Sequence, residues 1–70
     1  MFTKLESSTL QGVDYNEKTS DLNVTFRDGN VYKYRGVEKN VVDNLMKAKS
    51  HGRYFNSNIR PKYKNEKVGK

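Results

Sequence analysis

Two neighbouring stretches of the chain alternate between apolar and polar residues, and this pattern constrains the fold more than any other feature of the sequence. They cover residues 22–27 and 31–35 and are rich in β-branched and aromatic side chains. A period of two over such residues is typical of strands that bury one face. Asp28-Gly29-Asn30 separates the two stretches, and these residue types favour tight turns. The pattern therefore predicts an antiparallel hairpin.

The register of this hairpin follows from the requirement that the large apolar side chains share one face. A three-residue loop places Phe26 opposite Tyr32 and Val24 opposite Tyr34, which satisfies that requirement. A two-residue loop sets Val24 against Lys33 instead, so we predict the three-residue register.

Another strand is predicted before the hairpin, over residues 9–15, with Val13 opposite Val24. Leu10 has the wrong parity for the apolar face of this strand. A bulge near Gly12 would return Leu10 to that face, because a residue without a side chain accommodates a bulge at little cost.

The periodicity becomes helical after Gly36. Apolar residues recur at helical spacing and predict an amphipathic helix over residues 38–49. Ser50 is a suitable N-cap for a second, short helix that ends before Pro61. The predicted fold class is α+β: a three-stranded antiparallel β-meander with one amphipathic helix and a short second helix packed on one face.

Length and composition predict one domain over residues 1–60, followed by a basic, flexible C-terminal tail over residues 61–70. Hydrophobic residues make up 33% of the chain, so the core is small and we expect a monomer or a weak homo-oligomer. The chain has no cysteine, which favours a reducing, cytoplasmic location. No apolar run approaches the roughly 18 residues of a membrane span, so no membrane partner is expected.

The charge of the chain indicates a polyanionic partner. Lys and Arg number 14 against 8 Asp and Glu, which gives a formal net charge of +6. This excess attracts polyanions over long distances. The cations concentrate towards the C-terminus, where Glu66 is the only acid after His51.

The sheet face away from the helices is predicted to be open and to carry Arg27, Lys33 and Arg35. Such cations neutralise phosphates and release counterions, so we interpret this face as a nucleic-acid platform. The alternative interpretation is that these charges only keep an open face soluble and block aggregation at the sheet edge.

Tyrosines are the other candidates for contact with nucleic acid, because aromatic rings stack on bases. Tyr32 and Tyr34 share the parity of Phe26 and are interpreted as core residues. Tyr54, Tyr63 and Arg53 lie towards the basic end and are the better stacking candidates; the alternative for Tyr54 is that it closes the core. The residues predicted to bind nucleic acid are Arg27, Lys33, Arg35, Arg53, Tyr54, Arg60, Lys62 and Lys64.

Catalysis has little support in the sequence. His51 is the only histidine, and it has neither a cysteine nor a second histidine for a triad or a metal site. The carboxylates are scattered over turns and a helix surface, and no phosphate-cradling glycine motif occurs. We therefore predict a non-catalytic domain without a cofactor or a metal.

A set of mostly small, apolar and aromatic residues, ending with an asparagine and an arginine, occurs in an order that spans most of the chain: Ser7, Ser8, Leu10, Tyr15, Leu22, Val24, Phe26, Gly29, Tyr32, Tyr34, Val37, Leu45, Ala48, Ser50, Gly52, Phe55, Asn56, Ile59 and Arg60. This order resembles the KTSC domain, a family named for its occurrence at the C-terminus of some lysyl-tRNA synthetases. The resemblance covers residues 7–60 and includes the family's Tyr-x-Tyr signature. Members often carry proline directly after the position of Val37, where this chain has Glu38.

The resemblance implies a stand-alone member of a family of small bacterial and phage proteins, with RNA as the expected ligand and no assigned catalytic residue. The first hypothesis is a nucleic-acid-binding module that prefers RNA to DNA. The alternative is a protein-interaction module that binds a host protein or sequesters a nucleotide-like signal. A phage-encoded protein would fit this alternative. Both would use cations, so charge alone does not separate them.

Overall fold

A computed structural model of the protein describes residues 2–5 and 7–69. Within these residues, five antiparallel strands form one sheet in the order of the chain, and two helices lie between the fourth and the fifth strand. The strands are β1 (Phe2–Lys4), β2 (Leu10–Asn16), β3 (Asp21–Phe26), β4 (Val31–Tyr34) and β5 (Asn65–Gly69). The helices are α1 (Lys39–Lys47) and α2 (His51–Tyr54), and α2 continues as a π-helical turn over Phe55–Ile59.

The α+β class, the central meander and the helical cover on one face confirm the predicted fold class, but the sheet has five strands and not three. The two additional strands lie at the edges, where β1 pairs with β2 and β5 pairs with β4. Because main-chain hydrogen bonds hold an edge strand, its sequence need not alternate. The first strand has only three residues, and β5 is almost entirely exposed, so neither shows a period of two.

The structure also differs from the prediction of a flexible tail over residues 61–70. Residues 60–63 form a turn, after which Asn65–Gly69 returns to the sheet as β5. The Arg35 N–H donates to the Lys64 carbonyl at 3.0 Å and extends the pairing of these two strands. Lys70 lies outside the described residues.

The pairing of β2 with β3 confirms the predicted bulge. Val13 lies opposite Val24, and the register shifts between Leu10 and Gly12. The shift returns Leu10 to the core, where its side chain is fully buried. A Cβ at Gly12 would meet the Phe2 ring at 2.2 Å, so the absent side chain also admits β1.

The hairpin register predicted for β3 and β4 is wrong by two residues. Tyr32 lies opposite Val24, not Phe26, although the loop does have three residues. This loop covers residues 27–29, because Gly29 has a φ of +94° and fits the third loop position, which needs a left-handed backbone. A shift of two keeps every side chain on its predicted face.

The helical cover packs on the apolar face of the sheet. Val42 and Leu45 of α1 are buried, within the range predicted as 38–49. Ser50 caps α2 as predicted, since its hydroxyl accepts a hydrogen bond from the Arg53 N–H at 3.3 Å. Phe55 is fully buried. Its ring meets the rings of Phe26 and Tyr34 edge to face, at centroid distances of 5.6 and 5.2 Å.

No helix within residues 2–5 and 7–69 has the length and apolar character needed to cross a bilayer.

Candidate nucleic-acid interface

The open face of the sheet carries acids beside its cations. One row of directly opposed residues crosses all five strands on this face, and it consists of Phe2, Asp14, Asn23, Lys33 and Glu66. Lys33 therefore lies directly opposite a carboxylate, and a second carboxylate shares its row. Opposite charges at such positions attract each other across the strands.

Arg35 forms an ion pair with Glu66 at the same edge of the sheet. The hydrogen bond with Arg35 and the positive charge of Arg35 lower the pKa of the Glu66 carboxyl. The same hydrogen bond and the negative charge of Glu66 raise the pKa of Arg35. The all-cationic platform predicted from Arg27, Lys33 and Arg35 is therefore not formed, because a C-terminal acid neutralises part of it.

Arg27 points to a different part of the molecule. Its Nε donates to the Ser7 carbonyl at 2.8 Å, and its Nη2 donates to the Leu5 carbonyl at 3.4 Å. These partners are neutral, so they hold the guanidinium in place without cancelling its charge.

The end of α1, α2 and the turn after the π-helical segment carry cations without intervening acids. No Asp or Glu occurs between Asp43 and Glu66. Lys64 directly precedes β5, and its carbonyl accepts a hydrogen bond from the Arg35 N–H, so it belongs to the edge of the sheet. The other cations of this segment are exposed and lie on the helices or on the turn that follows them, and we call them the basic helical surface: Lys47, Lys49, Arg53, Arg60 and Lys62. Within the part of the chain that the structure describes, none of them lies in an ion pair. Their charge is therefore available to a ligand.

Polar side chains lie between the two arginines of this surface. Asn56 and Ser57 are exposed, as are Arg53 and Arg60, and all four follow the helical spacing of one outward side of α2 and the π-helical turn. A shallow groove of about 390 Å³ opens beside Arg53 and Tyr54, towards the end of α1. The structure thus brings two of the predicted binding residues, Arg53 and Tyr54, to the same groove.

A larger groove, of about 570 Å³, lies where the β3–β4 loop meets the end of the π-helical turn. We call it the tyrosine groove, and the lining residues that matter for its chemistry are Phe26, Arg27, Asp28, Asn30, Tyr32 and Arg60. Phe26 and Tyr32 meet edge to face, with ring centroids 5.6 Å apart and planes at 81°. Each ring fixes the orientation of the other.

The two tyrosines of the Tyr-x-Tyr signature have different environments. Tyr34 is buried, with 2% of its surface exposed, as its interpretation as a core residue requires. Tyr32 is half-buried, packs against the core and also lines the groove. Burial raises the pKa of the Tyr34 hydroxyl, and the opposing charge of Arg60 only partly offsets this effect. The hydroxyl is therefore neutral at physiological pH and able to donate.

Cations outnumber acids around the tyrosine groove. Arg27 and Arg60 line it, and Lys67 lies opposite Tyr32 in the β4–β5 register. Asp28 is the acid among the lining residues, and its two carboxylate oxygens accept hydrogen bonds from the main chain and the side chain of Asn30, each at 2.9 Å. This arrangement leaves a net positive potential at the groove.

His51 has a structural position at the start of α2. It is half-buried, and its Nε2 lies 3.4 Å from the Met46 carbonyl oxygen. The described residues contain no group of three His, Asp or Glu side chains placed to hold a metal ion.

The comparison with known proteins identifies the family. A family model of the KTSC domain matches residues 6–63. The chain belongs to the KTSC domain family. The matched range includes residues 7–60, the part of the sequence whose residue order resembles the KTSC domain.

Relatives of this KTSC domain include a small protein and parts of larger enzymes. An uncharacterised protein from Stutzerimonas stutzeri is 37% identical over 59 residues, which cover 84% of this chain and 83% of that protein. A lysine–tRNA ligase from Nostoc punctiforme is 37% identical over 65 residues, or 93% of this chain. The chain spans only 12% of the length of that ligase.

The fold matches that of a solved KTSC structure. The crystal structure of a KTSC domain protein from Yersinia pestis superposes with a TM-score of 0.94 at 30% sequence identity. The superposition covers 99% of this chain and 97% of that protein.

In this KTSC domain the predicted binding residues divide among three places. Lys33 and Arg35 lie with acids on the open face, and Lys64 pairs with Arg35 at that edge. Arg27 lines the tyrosine groove, and Arg53, Tyr54 and Lys62 belong to the helical side. Arg60 belongs to both, because it lies on the helical side and also lines the groove. Sequence reasoning missed Tyr32 as a groove residue. The alternation of residues along β4 places Tyr32 on the helical side of the sheet. Its half-buried position beside the groove depends on the tertiary packing, which the alternation does not show.

Proposed function

We propose that this chain is a small, non-catalytic KTSC domain that binds nucleic acid in the cytoplasm, with RNA preferred to DNA. One observation carries the proposal: the exposed cations of the basic helical surface have no carboxylate partner among the described residues. Phosphates are the ligands that such a surface attracts most strongly, because binding them releases condensed counterions.

The side chains between the arginines support a ligand with a sugar–phosphate backbone. Asn56 and Ser57 offer an amide and a hydroxyl beside Arg53 and Arg60. Groups of this kind bond phosphate and sugar oxygens and hold a nucleic acid in position without reading its sequence.

The preference for RNA rests on the relatives and on chemistry. Some relatives of similar sequence are segments of lysine–tRNA ligases, enzymes named for a tRNA substrate. The ribose 2′-hydroxyl adds a donor and an acceptor that DNA lacks, and the amide and hydroxyl of Asn56 and Ser57 are suitable partners for it.

The test is an anisotropy titration of a fluorescent single-stranded RNA against two variants of equal charge. Arg53→Gln/Arg60→Gln removes two cations from the helical side, and Lys33→Gln/Arg35→Gln removes two from the open face. We expect the first variant to bind about tenfold or more weakly and the second to change by less than threefold. The salt dependence of the affinity should fall by about 0.7 in log–log slope for each lost phosphate contact.

Equal losses in the two variants would contradict the assignment of the surface. Absence of salt-dependent binding to any RNA or DNA would contradict the function itself. In that case, a partner retained from nuclease-treated lysate would identify the protein-interaction alternative.

A further inference from the structure

We propose that the tyrosine groove binds a single unpaired nucleotide of the RNA, with the base against Tyr32 and the phosphate at Arg60 or Arg27. This inference rests on the proposed function and adds to it a ligand class and a recognition point. The basic helical surface would attract any nucleic acid, whereas the groove would accept only an unpaired base that can unstack from the neighbouring bases.

The dimensions of the groove fit one nucleotide. Its volume of about 570 Å³ falls within the roughly 300–1,000 Å³ of small-molecule sites. Bases in a duplex remain stacked and paired, and proteins that read RNA bases therefore take them from single-stranded segments. A groove that opens between a hairpin loop and a helix end has room for one such base and not for a double helix.

The aromatic wall is suited to a base. Tyr32 is held edge to face by Phe26, so its ring is already fixed before a ligand arrives. Fixed rings stack on bases at little entropic cost, and stacking tolerates every base because each has a π-face. The Asn30 side chain donates to Asp28 through its amide nitrogen and keeps its amide oxygen for the edge of a base.

The charges around the groove are suited to a phosphate. The guanidinium of Arg27 is oriented by two main-chain carbonyls, which are neutral partners. Arg60 is exposed and, among the described residues, has no acidic partner. Asp28 is the carboxylate at the groove, and its hydrogen bonds to Asn30 hold it at the loop. Cations at a wall of aromatic rings are the combination that single-stranded nucleic-acid sites use.

The first test compares Tyr32→Leu with Tyr32→Phe, using an eight-nucleotide single-stranded RNA and a duplex RNA of the same sequence. Leucine keeps an apolar side chain at this position and removes the π-face, whereas phenylalanine keeps the π-face. We expect Tyr32→Leu to weaken single-strand binding about 5- to 100-fold, the range of one lost base stack. Tyr32→Phe should stay within threefold of the wild type, and duplex binding should change less than threefold in both variants.

Equal affinity of the leucine variant and the wild type for the single strand would overturn the inference, and so would equal losses for single strand and duplex. Either result would leave the proposed function standing as long as binding stays salt-dependent. Loss of all nucleic-acid binding by the wild-type protein would instead contradict the function.

A second test needs no variant, in case Tyr32→Leu does not fold. Saturation-transfer NMR with AMP and UMP should show transfer to base protons, together with shifts of the Tyr32 ring resonances in the wild-type protein. Shifts confined to Tyr54, or the absence of transfer at millimolar nucleotide, would contradict a base site in the tyrosine groove.

Discussion

Arg35, directly after β4, forms an ion pair with Glu66 of β5 on the open face of the sheet. Because Glu66 also lies opposite Lys33, one acid balances the cations at this edge. The acid-free residues 44–63 contain the end of α1, α2, the π-helical turn and the turn that leads to β5. The domain therefore separates its charge, with a mixed sheet face and a cation-rich segment from the end of α1 to the turn before β5.

The ion pair predicts a pH dependence of stability. Arg35 lowers the pKa of Glu66 in the folded state, so the pair stabilises the fold fully above the ordinary Glu pKa of 4.5. This contribution disappears as the pH falls through the lowered pKa. We expect Glu66→Gln to be less stable than the wild type at pH 7 and the difference to shrink towards pH 3. Urea unfolding at both pH values measures it, and a difference independent of pH would exclude the pair as its cause.

Phe55 predicts the largest effect of a single truncation. Its side chain is fully buried and contacts Phe26 and Tyr34. Phe55→Ala leaves a cavity at the junction of sheet and helix and should reduce the free energy of unfolding by about 3–5 kcal/mol. That is a large part of the stability of a small domain. Phe55→Leu is the control and should cost clearly less than the alanine variant, because it leaves a smaller cavity. A loss below about 1 kcal/mol for the alanine variant, by urea unfolding, would contradict the packing.

Gly12 predicts a steric effect at the first edge strand. A Cβ there would lie 2.2 Å from the Phe2 ring and 2.7 Å from the Thr3 carbonyl oxygen. Gly12→Ala must displace β1, so we expect a loss of about 1–3 kcal/mol in thermal or urea unfolding. Combining it with Phe2→Ala removes the ring contact and should recover part of the loss. Gly69→Ala is the matched control, because its Cβ would lie 3.7 Å from Val31, an ordinary contact. Equal effects at the two glycines would contradict this account.

The parts of the fold that follow from parity could be predicted from the sequence. Val13 faces Val24, and the bulge at Gly12 buries Leu10, because only one arrangement puts these apolar residues on one side. The hairpin register could not be set by parity, since a shift of two preserves it. The backbone requirement of Gly29 decided the register instead.

The interface was harder to predict because it depends on residues far apart in the sequence. Nothing local to Arg35 indicates that Glu66, 31 positions away, returns beside it as part of an edge strand. The basic helical surface was visible in the sequence as an excess of cations after Asp43, but the sequence did not show that Glu66 lies beside Lys33 and Arg35 on the open face of the sheet.

The most direct measurement of the central claim is a map of backbone amide shifts in ¹⁵N-labelled protein titrated with a short single-stranded RNA. The account predicts that the largest shifts fall on Arg53, Arg60 and Lys62, with Tyr32 at the tyrosine groove. Large shifts centred on Asn23, Thr25 and Lys33, with the helical side unchanged, would place the RNA on the open sheet face and contradict the account.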